Sequence, residues 1–484
     1  MSNFVRRVAK NSIAQMLGFL GKGLTSFVVI VSIGRLAGVE SVGDFSFVVT
    51  FLAFFVFIAQ MGIPNLLVRE LARCRDDRQA VAHMVGNAIS ICTFLGPLAI
   101  FAMVVVIRSM SYPWSIFYAV VLAGLGLSFH SITEIIASVF KAYERMQWSS
   151  AIMFAEELLF LLCAIIVLII GYSLTWLFVG YLFSRLFAMV LAIFLYRRNF
   201  GTLIFGKGLH AWSKLLRLGF PFAINIILSL VYVRFDVLLL SILNGNLAVG
   251  FYVAATSLVI YINIIACVVN YSLLPILSRE FLQDSRRVVA YVAKSIQYLM
   301  IPGFLITILL LALGDRILIL IYGSQFVQSI VAVRLLAVII PLRFISHSLG
   351  TALTAVDRQK SRSIATAIAA ISNIGLNLLL IPLYGYMGAV YTSILTELIL
   401  LICFVWFTGM NSWVMLNFRG MAVPGLSALI VGCVALFLRT TNIHLFILLS
   451  LCCLLYASVL WIMDKEIYRK LIFLLFQQQR DVRP

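Results

Sequence analysis

Residues 150–171, SAIMFAEELLFLLCAIIVLIIG, form an apolar run that only Glu156 and Glu157 interrupt with charge. About 20 such residues in a helix span the hydrocarbon core of a bilayer. Strands of a membrane barrel would instead alternate apolar and polar side chains at every second residue. The run therefore predicts a transmembrane helix, and runs of this kind decide the fold.

Comparable runs recur along the whole chain of 484 residues, of which 63% are hydrophobic and only 11% are charged. The mean hydropathy of +1.10 lies far outside the range of a soluble domain. We therefore predict an all-α polytopic membrane protein with about 14 transmembrane helices. The predicted spans are residues 12–34, 44–66, 82–107, 112–140, 150–171, 173–196, 217–243, 248–276, 294–314, 326–350, 362–381, 386–409, 421–438 and 444–463.

Lys and Arg are distributed unevenly between the two ends of these spans. If the N-terminus is cytoplasmic, most of the 36 basic side chains fall in cytoplasmic segments, and the outer loops hold only Arg35, Arg108, Arg316 and Arg439. Such a bias predicts a multi-pass protein of a bacterial inner membrane with both termini in the cytoplasm. It also explains much of the formal net charge of +18 by topology and by contact with anionic lipid, so no nucleic-acid partner is needed.

No cofactor, metal site or nucleotide site is expected from the sequence. The eight cysteines avoid the predicted outer loops and show no metal-ligand spacing, which argues against a disulfide framework and a zinc site. The segment GTLIFGKG at residues 201–208 resembles a phosphate-binding loop, but Gly208 replaces the Ser or Thr that the motif requires. Energy would therefore come from an ion gradient, the membrane potential or the cargo's own gradient.

An internal repeat recurs at a spacing of about 207 to 213 residues. The segment SVGDF at 41–45 resembles AVGFY at 248–252, and FKAYERMQ at 140–147 resembles LTAVDRQK at 353–360. Two halves with the same orientation are a common architecture of secondary transporters. The predicted organisation is an N-terminal six-helix lobe (1–200), a basic cytoplasmic linker (201–216), a C-terminal six-helix lobe (217–410), helices 13 and 14 (411–463) and a cytoplasmic tail (464–484).

Charged side chains inside the predicted spans are candidates for function, because each costs about 2.5–3.5 kcal/mol at the bilayer centre on insertion scales. Glu156 and Glu157 are assigned to the cytoplasmic edge and left out of the count. The remaining interior charges comprise five basic side chains and three acidic ones, which predicts a net positive interior suited to an anion. They are Lys22, Arg185, Arg234, Arg334 and Arg343, and Glu134, Asp236 and Glu397.

The spacing of these residues suggests partners for some of them. Arg234 and Asp236 lie on roughly opposite sides of one helix and should not pair with each other. Arg185 and Glu397 occupy equivalent helices of the two halves and are predicted partners, either as a structural clasp or in a cavity. His130 is a candidate protonation switch, although a hydrogen-bonded packing role is the alternative.

Several stretches carry a resemblance to a known family. They are VRFDVLLLSILNGNLAVGFYVAA (233–255), LLPILSREF (273–281), IPLRFISHSLGTALTAVDRQKSRSIAT (340–366), ISNIGLNLLLIPLYGYMGAVYTSILTE (371–397) and GRLAGVESVGDFSF (34–47). With these stretches the chain resembles the polysaccharide flippase branch of the multidrug/oligosaccharidyl-lipid/polysaccharide exporter (MOP) superfamily. The resemblance extends through helix 12, whereas helices 13 and 14 fit in number only.

The resemblance implies a V-shaped fold of two six-helix lobes and a transporter that performs no chemistry on its cargo. The cargo would be an undecaprenyl-pyrophosphate-linked oligosaccharide repeat unit. It would cross from the cytoplasmic to the periplasmic leaflet for assembly of O-antigen, capsule or exopolysaccharide, driven by an H⁺ or Na⁺ gradient or by the membrane potential. Membrane lipid, a polysaccharide polymerase and a chain-length regulator would be its partners.

Residue by residue, we expect two sets of side chains at the functional site. Lys22, Arg234, Arg343 and Arg185 are expected to bind the pyrophosphate or sugar. The residues expected to couple ions or to balance charge are Asp236, Glu134, His130 and Glu397.

Two other functions are consistent with a chain of this kind. A cation-coupled multidrug exporter would have the same fold, but its cationic drugs would favour an acidic interior. A membrane glycosyltransferase or polymerase would handle the same lipid, but would present long outer loops with catalytic clusters, whereas nearly all predicted outer loops here are short.

Overall fold

The computed structural model describes residues 3–74, 77–204, 208–281, 284–409, 418–439 and 443–463, and these residues form helices and connecting turns without a strand. The helices, in chain order, are α1 Asn3–Ala37, α2 Val39–Gln60, α3 Ile63–Arg73, α4 Arg78–Ser109, α5 Trp114–Ala142, α6 Met146–Ile170, α7 Leu174–Phe200, α8 Leu209–Ile262, α9 Ile264–Phe281, α10 Ser285–Tyr322, α11 Ile330–Ala337, α12 Ile339–Ala355, α13 Gln359–Tyr384, α14 Tyr386–Thr408, α15 Phe418–Leu438 and α16 Leu445–Met463. A 3₁₀ helix, Ser324–Ser329, precedes α11.

The number of membrane spans agrees with the prediction once broken helices are considered. Within the described ranges, 12 segments are long and apolar enough to cross a bilayer, and the pair Ser324–Ala337 and Ile339–Ala355, bent by 41°, makes 13. One of the 12, Ala211–Phe281, is 71 residues long, more than twice the length that a bilayer needs. Gly245, with φ 79° and ψ 172°, interrupts it. Dividing this segment there gives the predicted 14 spans and confirms the all-α polytopic fold.

The second span ends earlier than predicted and is followed by a separate short helix. Met61 and Gly62 adopt left-handed backbone conformations directly after α2. The α3 helix then buries an apolar face that includes Leu67 and Leu71, while Arg69 and Arg73 lie on its exposed face. This amphipathic pattern explains why α3 is not a continuation of the uniformly apolar α2.

Contacts group the chain into two compact units, each with its own core. One unit comprises Met1–Ala254 with Ile374–Ala389, and the other comprises Ala255–Asn373 with Val390–Pro484. In the first unit, buried residues of α3, α4, α5 and α7 form one core. In the second, buried residues of α10, α15 and α16 form another. The division into two sequence repeats is a separate statement about similarity and stays a prediction.

The segments of the sequence repeat that contain Gly43 and Gly250 lie directly against each other inside the first unit. A Cβ atom on Gly43 would stand 1.8 Å from the carbonyl oxygen of Asn246, and one on Gly250 would stand 2.1 Å from that of Val39. Only glycine permits backbones to approach so closely. These two glycines therefore fix the crossing of α2 and α8, the helix that carries Arg234 and Asp236.

A chain of polar side chains accompanies this crossing. The Asn246 amide donates to Asp44 Oδ1 at 2.6 Å and accepts from the Ser241 hydroxyl, whose oxygen lies 2.7 Å from the Tyr112 hydroxyl. Because the Ser241 proton is directed to Asn246, Tyr112 is the donor to Ser241. Burial raises the pKa of the Tyr112 phenol, which keeps the proton in place for this hydrogen bond.

Candidate functional site

A cluster of ionisable side chains, with Glu156, Glu157 and Arg185 buried and Lys22 and His130 partly exposed, lies among α1, α5, α6 and α7 of the first unit. Arg185 forms an ion pair with Glu156 and a second one with Glu157 at 3.5 Å. The Lys22 ammonium lies 3.6 Å from Glu157, and His130 Nδ1 lies 3.0 Å from Glu156. Since charges buried in a low dielectric need partners, these contacts explain how five polar groups coexist among apolar helices. We refer to these five side chains as the α6 charge cluster.

The α6 charge cluster corrects the predicted partner of Arg185. Arg185 pairs with the two carboxylates of α6, whereas Glu397 accepts a hydrogen bond from Arg343 Nε at 3.2 Å within the second unit. The predicted pairing of Arg185 with Glu397 is therefore wrong. Each of the two charges has its ion-pair partner within its own unit.

The count of interior charges changes as well. Glu156 and Glu157 are buried among neighbouring helices, with 2% and 5% of their surface exposed. Glu156 lies about 15 Å along α6, which begins at Met146. The burial of both carboxylates among the helices adds them to the interior charges. Including them gives five acidic side chains against the same five basic ones, so these positions carry no excess of positive charge.

Apart from Arg234, the remaining predicted residues also have partners close to them along the chain or in the same unit. Glu134 lies 3.4 Å from Lys141 on α5, and Asp236 accepts hydrogen bonds from the Tyr252 hydroxyl and the Val237 amide. Asp236 and Arg234 do not pair with each other, as their spacing predicts. Arg334 pairs with Asp315 at 3.5 Å.

Arg234 differs from the other predicted cations. It is exposed, and among the described residues it has neither an ion pair nor a hydrogen bond through its side chain. It lines a groove of about 470 Å³, and the lining residues are Asn65, Phe222, Ile226, Ser229, Leu230, Val233 and Arg234. We call this the α8 groove. In the part of the chain that the structure describes, Arg234 is thus the predicted cargo residue whose guanidinium is most open to a ligand.

Comparison with known protein families shows the family to which the chain belongs. A family model described as "Polysaccharide biosynthesis protein" matches residues 8–281, more than half of the chain. The chain belongs to this family. A search of curated proteins finds no match to this sequence.

Solved structures show which fold the family member adopts. The lipid II flippase MurJ in an inward closed conformation superposes with a TM-score of 0.76 at 15% identity, over 96% of this chain and 100% of that one. An inward-facing multidrug resistance MATE transporter gives a TM-score of 0.66 at 13% identity, over 82% of this chain and 96% of that one. A MOP superfamily transporter from Pyrococcus furiosus gives 0.56 at 12% identity, over 84% of this chain and 96% of that one. The protein therefore shares the fold of these three proteins, and the predicted membership of a polysaccharide-related family is confirmed by the family model.

Sequence reasoning missed two parts of the site. The first is the carboxylate pair Glu156 and Glu157, although two adjacent acidic residues inside an apolar run are a visible signal of buried charge. The second is the α8 groove, whose apolar residues Phe222, Ile226 and Leu230 recur at every fourth position. That spacing places them on one helix face, but it is also the spacing of any packed helix.

Proposed function

We propose that this protein is a flippase that moves undecaprenyl-pyrophosphate-linked oligosaccharide repeat units from the cytoplasmic to the periplasmic leaflet for surface polysaccharide assembly. Membership of the polysaccharide biosynthesis family supports this proposal, as does likeness to a protein that flips a lipid-linked precursor. The observation that carries it at the level of residues is Arg234. An exposed guanidinium without a protein partner among the described residues suits a pyrophosphate, which it can bind in bidentate fashion.

The other predicted cargo residues differ in exposure, and this proposal gives them different roles. Lys22 retains 42% of its side chain exposed beside Glu157, and Arg343 retains 25% beside Glu397, so both can contact cargo while remaining paired. Arg185, 9% exposed, acts as a positioning residue that holds Glu156 and Glu157. The positive character of the site is thus local to Arg234 and does not come from an overall surplus of charge.

In the proposed cycle of alternating access, the movement of cargo is coupled to the movement of an ion or to the membrane potential. His130 Nδ1 lies 3.0 Å from Glu156. Protonation of the imidazole would therefore strengthen that contact and add one positive charge to the α6 charge cluster. Asp236, Glu134 and Glu397 are the further candidates for coupling H⁺ or Na⁺ or for balancing charge. A proton or sodium gradient, or the membrane potential, would supply the energy.

Leaflet exposure of the lipid-linked repeat unit in cells tests this function. We expect a strain without the protein to accumulate the repeat unit in the cytoplasmic leaflet, and Arg234→Gln to reproduce this defect at normal protein abundance. Arg108→Gln is the matched control, because Arg108 is an exposed arginine that lies over the Trp114 ring at 4.6 Å. Unchanged periplasmic delivery in the strain without the protein would refute the flippase function.

A multidrug exporter is the second candidate, and one observation favours it. The equal number of acidic and basic side chains at the interior positions removes the predicted cationic surplus that argued against cationic drugs, and a MATE transporter has a similar fold. Drug susceptibility with and without the gene separates the two functions. If the protein is an exporter, cells without the gene should become more susceptible to several cationic drugs and keep normal surface polysaccharide. If it is a flippase, cells without the gene should lose surface polysaccharide and keep their drug susceptibility.

A further inference from the structure

The α8 groove has an elongated apolar wall. Phe222, Ile226, Leu230 and Val233 follow one another at intervals of four, four and three residues, which places them on one face of α8. At 1.5 Å per residue this face extends over roughly 17 Å. Arg234 is the last of the lining residues along α8, directly after Val233, and Asn65 of α3 also lines the groove.

The chemistry of this wall favours a hydrocarbon ligand over a sugar. Besides Arg234, only Asn65 and Ser229 contribute polar side chains to the lining. A sugar would lose hydrogen bonds to water without replacing them, which costs free energy for every unpaired hydroxyl. A branched hydrocarbon chain would gain free energy from leaving water at about 25 cal/mol for each Å² of buried apolar surface.

Charge complementarity identifies the head of that ligand. A cation inside a membrane protein is costly without an anion, and the Arg234 guanidinium has none among the described residues. Its position in the lining of an apolar groove therefore fits an anionic group joined to a hydrocarbon chain. A phosphate or pyrophosphate meets the planar array of guanidinium donors with two parallel hydrogen bonds.

We propose that the α8 groove binds the isoprenoid segment next to the pyrophosphate of the cargo lipid, while Arg234 binds the pyrophosphate itself. This inference rests on the proposed flippase function and adds to it that the protein recognises part of the polyprenyl chain. The sugar then occupies a different part of the transporter, and the flippase can accept repeat units that differ in sugar while selecting the same lipid carrier.

Binding to the full-length protein in phosphatidylcholine nanodiscs tests the inference with three probes: geranylgeranyl pyrophosphate, inorganic pyrophosphate and phosphatidylglycerol. The wild type should bind the prenyl pyrophosphate at least about tenfold more tightly than inorganic pyrophosphate. Val233→Trp should remove most of this preference by filling the groove, and should leave the affinity for inorganic pyrophosphate unchanged. Arg234→Gln should weaken both ligands.

Leu228→Trp is the matched control, because Leu228 is an exposed α8 residue, 51% accessible, that does not line the groove. It should bind all three probes as the wild type does. The inference is overturned if Val233→Trp retains the preference, or if phosphatidylglycerol displaces the prenyl pyrophosphate at equal concentration, since the groove would then hold ordinary membrane lipid. Either result leaves the flippase function intact, because the leaflet assay tests that function separately.

Discussion

At the scale of single residues, Arg185 determines whether two carboxylates can remain buried in α6. Its guanidinium contacts both Glu156 and Glu157 and also lies over the Tyr181 ring at 4.5 Å. Removing one member of a buried ion pair leaves an uncompensated charge, which is far more costly than never having buried the pair. The free energy of unfolding should therefore depend on this residue more than on any surface arginine.

Replacement of Arg185 provides the corresponding prediction. We expect Arg185→Met to destabilise the protein by about 3–5 kcal/mol, seen as a lower Tm of the detergent-solubilised protein. The double variant with Glu156→Gln should recover part of the loss because one unpaired carboxylate is removed. Arg108→Met should leave Tm close to the wild-type value. Equal Tm values for Arg185→Met and the wild type would contradict this role of Arg185.

Glu397, in the second unit, is likewise a buried carboxylate that pairs with an arginine. The residue is 3% exposed, and of its two carboxylate oxygens only Oε2 has a hydrogen-bond donor among the described residues, namely Arg343 Nε.

We predict that Arg343→Gln lowers Tm more than Glu397→Gln does, because only the first change leaves a buried unpaired anion. The double variant should be more stable than Arg343→Gln alone. Thermal unfolding of the three purified variants measures this order, and an additive loss in the double variant would show that the pair is not coupled.

At the scale of elements, the crossing of α2 and α8 depends on the absence of two side chains. Gly43 and Gly250 each face a backbone carbonyl of the other segment, so the contact cannot be relieved by rotating a flexible side chain. The hydrogen-bonded chain from Asp44 to Tyr112 lies beside the same crossing. Close approach and polar contacts therefore act together to fix the position of α8.

An alanine at Gly43 tests this packing. The added Cβ would lie 1.8 Å from the Asn246 carbonyl oxygen, so the helices must separate, and we expect a lower folded yield in size-exclusion chromatography and a lower Tm. Gly375→Ala is the control within a helix, because no atom lies within 4 Å of its added Cβ and alanine is the better helix former. If both variants behave alike, close packing at Gly43 is not important.

At the scale of the whole molecule, the sequence predicts the spans well but not the contacts between charges. Hydropathy alone locates a helix such as α6, because the bilayer requires about 20 apolar residues whatever their neighbours are. Glu156 shows the limit of this reasoning. Its partners come from α5 and α7, and which helices meet at its depth depends on packing that no local pattern records.

The same distinction applies to the functional site. The sequence identifies Arg234 as an interior charge without a partner on its own helix, since Asp236 lies on another face. It cannot show that Lys22, Arg185 and Arg343 find carboxylates while Arg234 remains open, because this difference arises only when the helices pack.

Orientation in the membrane stays a prediction that reporter fusions can measure. With both termini in the cytoplasm, alkaline phosphatase fused after Ser111 should be active, and fused after Glu144 it should be inactive. A fluorescent protein at the C-terminus should fluoresce. The reverse pattern would contradict the predicted orientation and place both termini on the outer side of the membrane.

The α6 charge cluster also has an electrical consequence. With His130 neutral, the charges of Lys22 and Arg185 cancel those of Glu156 and Glu157. Moving one elementary charge through a membrane potential of 100 mV changes the energy by about 2.3 kcal/mol, but a displacement of the neutral cluster carries no net charge. A displacement of this cluster as a unit is therefore electrically silent while His130 is neutral. A membrane potential acts instead on a proton bound at His130, or on a charge that has no ion pair among the described residues, such as Arg234.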